Sequence, residues 1–441
     1  MPALGELTKF LLAVAVIVGV CHALGALCAR LRQPPVVGEL AGALLLGPAL
    51  LGAVAPGLHH GLFTPAVLSA VNLAGQLGLV VFMFLLGTEM RFDRLRGVGA
   101  TVGAVVVGSV AVPFAAGFGF AALVTRWFAP SGTPAAFYLV FFGLAISITA
   151  LPVLARILTD HNVETSQTGT LALTVAAVGD GLAWAVLTVI LTVAGAHGTG
   201  ELLVRAALAV GLLLLAFAVV GPALRALLRR FETRDTDDRA VMALLVTGAT
   251  AFAGATDAIG LHPIVGALLF GGVVPRGYPV VGRATKRLND FAVVILLPLF
   301  FTSVGLKVSF AAFGDATGWL LLAGGIIVAT LSKFIGAAGG AALAGTGRRQ
   351  SLRLGALMNC RGITELVVAN VGLQQGLINT LGYTVIVLIA IVTTAATGPL
   401  ARLRAADPDL APAPPDSSET NGTPIRHLAI PSTSERHQDS I

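Results

Sequence analysis

Asp180 stands near the middle of 168-TGTLALTVAAVGDGLAWAVLTVILTVAG-195, a stretch with no other charged residue. A carboxylate in so long an apolar run has shed its water and has no sequence neighbour to offset its charge. Acids kept at such depth bind or relay something, and the chemistry open to a lone carboxylate is exchange of a proton or a small cation. The structural alternative is a protonated acid hydrogen-bonded to a neighbouring helix.

Three more charged residues lie deep in apolar segments: Lys333, Arg361 and Glu365. Each alone would be expensive, but together they can compensate one another. Arg361 and Glu365 are four apart and share a helix face, so an internal pair is expected. Arg361 could also cap carbonyls freed by a broken helix. Lys333 is read either as a counter-charge to Asp180 or as a proton-linked competitor with it. Ser147 and Thr149 add neutral oxygens beside Pro152. Carboxylate, hydroxyl and backbone carbonyl are the hard oxygens that suit a dehydrated monovalent cation. The candidate cation- and proton-binding residues are therefore Asp180, Thr149 and Ser147, with Asp180 as the ligand of a transported metal cation. The charge-compensating set is Lys333, Arg361 and Glu365.

Glu39 and Asp257 lie nearer segment ends and are read as structural, as is His262 before Pro263 at a helix start. The three cysteines, Cys21, Cys28 and Cys360, form no CxxC pair and no metal spacing, so they read as small apolar fillers. No catalytic residue, enzyme activity or cofactor is expected.

The elements that position these groups are membrane helices. Of 441 residues, 56% are hydrophobic and 11% charged, against about 25% charged in soluble proteins, and the mean hydropathy is +0.89. Thirteen spans are expected, near 7–29, 35–53, 66–88, 98–124, 135–157, 168–194, 201–228, 239–257, 261–275, 285–306, 317–344, 351–376 and 380–402. No cleavable signal is evident, because the first apolar stretch is long enough to be a span.

The net charge of +6 and pI near 9.7 could suggest a nucleic-acid partner. The basic residues instead fall in short loops of one parity. These are Arg30 and Arg32; Arg91, Arg94 and Arg96; Arg156; Arg225, Arg229, Arg230, Arg234 and Arg239; Arg276, Arg283, Lys286 and Arg287; Arg348, Arg349 and Arg353; and Arg402 with Arg404. The even connections hold Arg126 and Lys307, with Arg205 at most added. The asymmetry places the N-terminus outside and the C-terminus in the cytoplasm, in the cell membrane, with no nucleic-acid partner. From Ala405 to Ile441 the chain is rich in Pro, Ser, Thr and Asp and reads as a disordered cytoplasmic tail. No GxGxxG follows a strand, so no nucleotide-sensing domain is expected, and Gly117–Gly119 is helix packing.

Motifs recur in order along the two halves: 35-PVVG-38 with 263-PIVG-266, Phe82 and Gly87 with Phe300 and Gly305, and 149-TALP-152 with 359-NCRG-362. They suggest two inverted six-helix repeats, residues 1–195 and 239–404, joined by a linker helix at 201–228, in a membrane domain of residues 1–404. The fifth and twelfth spans both carry mid-span breakers, Pro152 and Gly362. Unwound backbone at that depth is tolerated only against protein or a water-filled cavity, so the matched breaks point to one ion site between them.

The segments 35-PVVGELAGALLLGPALLG-52, 82-FMFLLGTEM-90, 147-SITALPVLARIL-158, 176-AAVGDGLAW-184, 252-AFAGATDAIGLHPIVGALLFGGVVPR-276, 298-PLFFTSVGLK-307, 333-KFIGA-337 and 357-LMNCRGITELVVANVGL-373 resemble the monovalent cation:proton antiporter-2 family. That resemblance implies an all-α polytopic fold of thirteen helices with crossed discontinuous helices 5 and 12. It implies a core of helices 4–6 and 11–13 moving against a dimerising scaffold, and a cation bound at Asp180 between the breaks. Many relatives carry two acids or Asn-Asp where this chain has Gly179-Asp180. One carboxylate then exchanges one proton for one cation, and electroneutral 1:1 exchange of Na+ or K+ for H+ is expected. The expected partners are those ions, the lipid bilayer and a second copy of the chain. A proton- or sodium-coupled organic anion transporter on the same fold is the alternative, with Arg361 as its substrate-binding cation. A non-transporting receptor would leave Asp180 and both breaks without a use, and no filter-like sequence supports a channel.

Overall fold

The computed structural model describes residues 5–31, 33–48, 50–89, 99–160, 166–194, 199–232 and 238–402. The tail at 405–441 and the basic residues Arg32, Arg91, Arg94, Arg96, Arg234 and Arg404 lie outside them. Arg156 and Arg402 belong to described helices, but their side chains lie outside the description.

The chain is a series of helices. We number them α1 (Glu6–Arg30), α2 (Pro35–Leu46), α3 (Pro65–Glu89), α4 (Ala100–Phe128), α5 (Ala135–Ser147), α6 (Leu151–Asp160), α7 (Gln167–Ala194), α8 (Thr199–Leu215) and α9 (Gly221–Glu232). There follow α10 (Asp238–Ala258), α11 (Pro263–Val273), α12 (Pro279–Phe291), α13 (Leu297–Gly305), α14 (Ala316–Leu343), α15 (Arg348–Leu357), α16 (Ile363–Gln374) and α17 (Thr380–Arg402). Proline opens α2, α3, α11 and α12, where its missing N–H falls among donors that have no intrahelical partner in any case. Asp315 caps α14 by accepting from the Thr317 N–H at 2.8 Å.

Among the described residues, 11 segments are long and apolar enough to cross a membrane. Two further apolar helices, Pro263–Val273 and Ile363–Gln374, are shorter than that. They fall in the ninth and twelfth of the thirteen expected spans. Two long segments contain π turns, Ala216–Val220 and Ala292–Leu296, each just ahead of a proline, Pro222 or Pro298. A proline cannot donate back along the helix, and a widened turn absorbs the gap.

Packing falls into two groups. α4 is the centre of one, against α14, α5 and α7, with α15, α16 and α17 completing it. α3 is the centre of the other, against α11 and α13, with α1, α2 and α10 around them. Small residues set the closest approaches, as expected where no hydrophobic drive separates helix from lipid. A Cβ on Gly336 of α14 would meet Val112 Cβ at 2.9 Å, and one on Gly340 would meet Val105 Cα at 3.0 Å. Gly117 likewise packs on Ile146 and Gly143, whereas Gly119 faces open space.

Each cation on the sparsely charged side of the expected topology has a local partner. Arg126 lies 3.6 Å from the Trp127 ring centroid, Arg205 pairs with Glu201 at 2.5 Å, and Lys307 donates to Asn370 Oδ1 at 2.7 Å.

Replacing Gly336 by leucine should force α14 off α4 and cost about 1–3 kcal/mol, read as a lower unfolding temperature in detergent. Gly339→Ala is the control, because a Cβ there meets nothing within 4 Å, and it should leave that temperature unchanged or raise it.

Candidate functional site

Two helices stop and restart inside the first packing group. α5 ends at Ser147 and α6 begins at Leu151; α15 ends at Leu357 and α16 begins at Ile363. Pro152 is the second residue of α6, inside the first turn, so it starts the second half rather than kinking a continuous helix. The two gaps cross. The Ala150 N–H donates to Cys360 O at 3.1 Å, and Thr149 Oγ1 donates to Met358 O at 3.5 Å. Gly362 stands at the crossing, where a Cβ would meet Val153 Cγ2 at 2.6 Å.

Every broken end frees backbone groups. The last four carbonyls of a helix lack intrahelical partners, and here each of the four in α5 is engaged by a side chain. Leu144 O accepts from Ser147 Oγ at 2.8 Å. Ala145 O and Ile146 O accept from Arg361 Nη1 and Nη2 at 3.3 and 2.5 Å. Ser147 O accepts from Lys333 Nζ, which also donates to Ser109 O of α4 at 2.8 Å. Two cations thus meet the negative end of the α5 dipole.

The positive ends face carboxylates. The Leu151 N–H, first in α6, donates to Asp180 Oδ2 at 3.3 Å. Glu365 lies in the first turn of α16 and takes Arg361 Nη1 at 2.8 Å. Asp180, Lys333, Arg361 and Glu365 are each at most 1% exposed, and Lys333 lies within electrostatic reach of the other three. Among the described residues, Asp180 Oδ1 has no hydrogen-bond partner. Cys360, in the second gap, also lies within reach of the Asp180 charge.

The predicted residues therefore converge on one crossing, but in different capacities. Ser147 closes α5 through both its hydroxyl and its carbonyl. Thr149 bridges the two gaps. Gly179 has room beside it, since a Cβ there would meet only Val110 Cγ2 at 3.9 Å. Sequence reasoning missed Ser109 and Thr394. Ser109 acts through its backbone carbonyl, which no residue type reveals. Thr394 Oγ1 donates to Arg361 O at 2.5 Å, and the Thr393-Thr394 pair inside an apolar helix was a readable signal.

The fold and this crossing define a membrane protein of the sodium/hydrogen exchanger kind. The family model "Sodium/hydrogen exchanger, transmembrane" matches residues 12–403, and the chain belongs to that family. It is 33% identical over 396 residues to Cation/H(+) antiporter 20 of Arabidopsis thaliana, covering 87% of this chain and 47% of that one. It is 30% identical over 398 residues to the Na(+)/H(+) antiporter NhaS4 of Synechocystis sp., covering 88% and 95%. It is 30% identical over 407 residues to K(+)/H(+) antiporter 1 of Saccharomyces cerevisiae, covering 90% and 46%. The chain spans about half the length of the curated plant and yeast relatives it matches. The solved sodium proton antiporter MjNhaP1 of Methanocaldococcus jannaschii shares the fold, with a TM-score of 0.64 at 16% identity, over 91% of this chain and 100% of that one.

Removing one member of the internal pair should be costly. Glu365→Ala leaves Arg361 buried without its carboxylate, expected at about 3–5 kcal/mol of stability. Glu365→Gln, which keeps an oxygen for Arg361 and leaves its hold on the α5 carbonyls in place, should cost less than Glu365→Ala. Thermal unfolding of the three purified proteins checks the order.

Proposed function

We propose that this protein exchanges a monovalent cation, Na+ or K+, for H+ across the membrane, with the two competing for Asp180. The observation that carries this reading is the hold on that carboxylate. One oxygen takes a helix-terminal N–H, and the other has no partner among the described residues. The relatives support the substrate class. Their printed names include Na(+)/H(+), K(+)/H(+) and cation/H(+) antiporters, which leaves the cation as Na+ or K+. Nothing in the site or the comparisons supports the organic-anion alternative, because Arg361, its required substrate group, is engaged by carbonyls and Glu365.

The coupling follows from charge. A bare carboxylate moving through low dielectric is expensive, so the site crosses only when loaded. Loaded with H+ or with a monovalent cation it carries the same charge, and one full cycle moves no net charge. Asp180 supplies the titrating carboxylate, and Ser147 and Thr149 offer neutral oxygens at the adjoining gap. Lys333, Arg361 and Glu365 balance the fixed dipoles around it.

In the same proposal, thirteen membrane segments count the two short apolar helices as membrane segments. Residues 1–195 and 239–404 form inverted repeats around a linker at 201–228. The N-terminus lies outside and the C-terminus in the cytoplasm. The protein works as a homodimer; the exposed apolar face of α1, with Leu7 and Leu11 on it, supports a second copy or lipid there.

Asp180→Asn in proteoliposomes should abolish cation-driven movement of a pH dye while the protein still folds; wild-type rates in that variant would refute the reading. Wild-type exchange should not respond to an imposed voltage. Gly179→Asp, which has room, should add a second titrating group and make the rate voltage-sensitive.

A further inference from the structure

A cavity of about 750 Å³ lies where α7 faces α3, α8, α10 and α11. Its walls are largely apolar, with Val178 and Trp184 of α7 opposite Leu213 of α8 and Leu268 of α11. Two lining residues stand apart. Leu151 is the residue whose N–H holds Asp180 Oδ2. The cavity therefore reaches the residue that donates to the exchanging carboxylate. Glu89, the last residue of α3, is the single charged side chain among the lining residues described, and it is exposed.

A lone charge beside low-dielectric walls acts over a longer reach than the same charge on an open surface. Such clefts focus field lines, concentrate counter-ions and raise their arrival rate by about 10–10³. Thr174, Thr188 and Thr256 add hydroxyls along the walls, and none of the described lining residues is cationic. The charge these lining residues contribute thus favours cations over anions. Arg276 sets a limit on it, because it donates to Thr88 O at 3.0 Å beside Glu89.

We propose that Glu89 is the recruiting carboxylate of this cavity, drawing the monovalent cation into the space that Leu151 lines before Asp180 takes it. The inference rests on the reading of Asp180 as the exchange site. Glu89 is a positioning residue: it governs how readily the cation arrives and leaves the exchange step itself untouched.

The test uses the full chain in liposomes with a pH dye, titrating Na+ and K+ at low and high concentrations of inert choline chloride. Glu89→Gln should raise the apparent KM for the cation about tenfold at low ionic strength, the low end of the focusing effect. The difference should shrink as added salt screens the field, with the saturated rate unchanged. Glu89→Asp should restore the wild-type KM. The wild-type KM should itself rise with added choline chloride. An unchanged KM in Glu89→Gln at low salt overturns the inference. So does a lowered saturated rate with a salt-independent KM, the mark of a structural role, or a wild-type KM indifferent to salt, which serves if the variants fail to fold. Activity in Asp180→Asn would instead remove the exchange site on which the inference rests. An inactive Asp180→Asn beside an unaffected Glu89→Gln would remove the recruiting role alone.

Discussion

The end of α5 imposes the constraint from which the site follows. Four backbone carbonyls are left open deep within an apolar helix packing, where neither lipid nor bulk water can take them. Ser147, Arg361 and Lys333 answer them. Bringing two cations to that depth creates a second need, for carboxylates to balance them. Glu365 and Asp180 supply the balance, each at the positive start of a half-helix. The charged cluster is in this sense the completion of two broken helices, and its chemistry is a consequence of the break.

The two acids are held differently, in keeping with the separate roles proposed for them. Glu365, in the first turn of α16, contacts at 2.8 Å the guanidinium of Arg361, which lies in the gap before that helix and not on a shared helix face. A charge-assisted contact of that kind is strong and fixed. Asp180 is held by one neutral N–H at 3.3 Å. A weakly held carboxylate can change partners, and exchange requires an acid that can. Lys333 donates to carbonyls of α4 and α5 and makes no ion pair with Asp180 among the described residues.

Close helix contact makes the arrangement reachable. Lys333, Gly336 and Gly340 lie on one face of α14, and the two glycines let that face lie against α4. The short approach is what allows the lysine to span from Ser109 O to Ser147 O. At the other edge, Lys307 ties the end of α13 to Asn370 on α16, and Tyr383 of α17 donates to Val304 O at 2.8 Å. The half-helix that carries Glu365 is therefore anchored to the second packing group at its far end.

Much of this was legible in the chain. Asp180, Lys333, Arg361 and Glu365 announce themselves because a charge in an apolar run is costly wherever the run folds. Pro152 and Gly362 mark the breaks through local backbone chemistry, and the family resemblance rests on the motifs around them. The tertiary structure alone decided the partners. Arg361 and Ile146 are 215 residues apart, and the acceptors at Ala145, Ile146, Ser147 and Ser109 are backbone oxygens that every residue possesses. Lys307 stood in the sequence only as a basic residue of an even connection, and the tertiary structure set Asn370 beside it. The sequence drew no attention to Glu89, and only the tertiary structure set it on the lining of one cavity with residues of α7. Hydropathy, breakers and charge are properties of a residue and its near neighbours, whereas pairing depends on which distant segments close on one another.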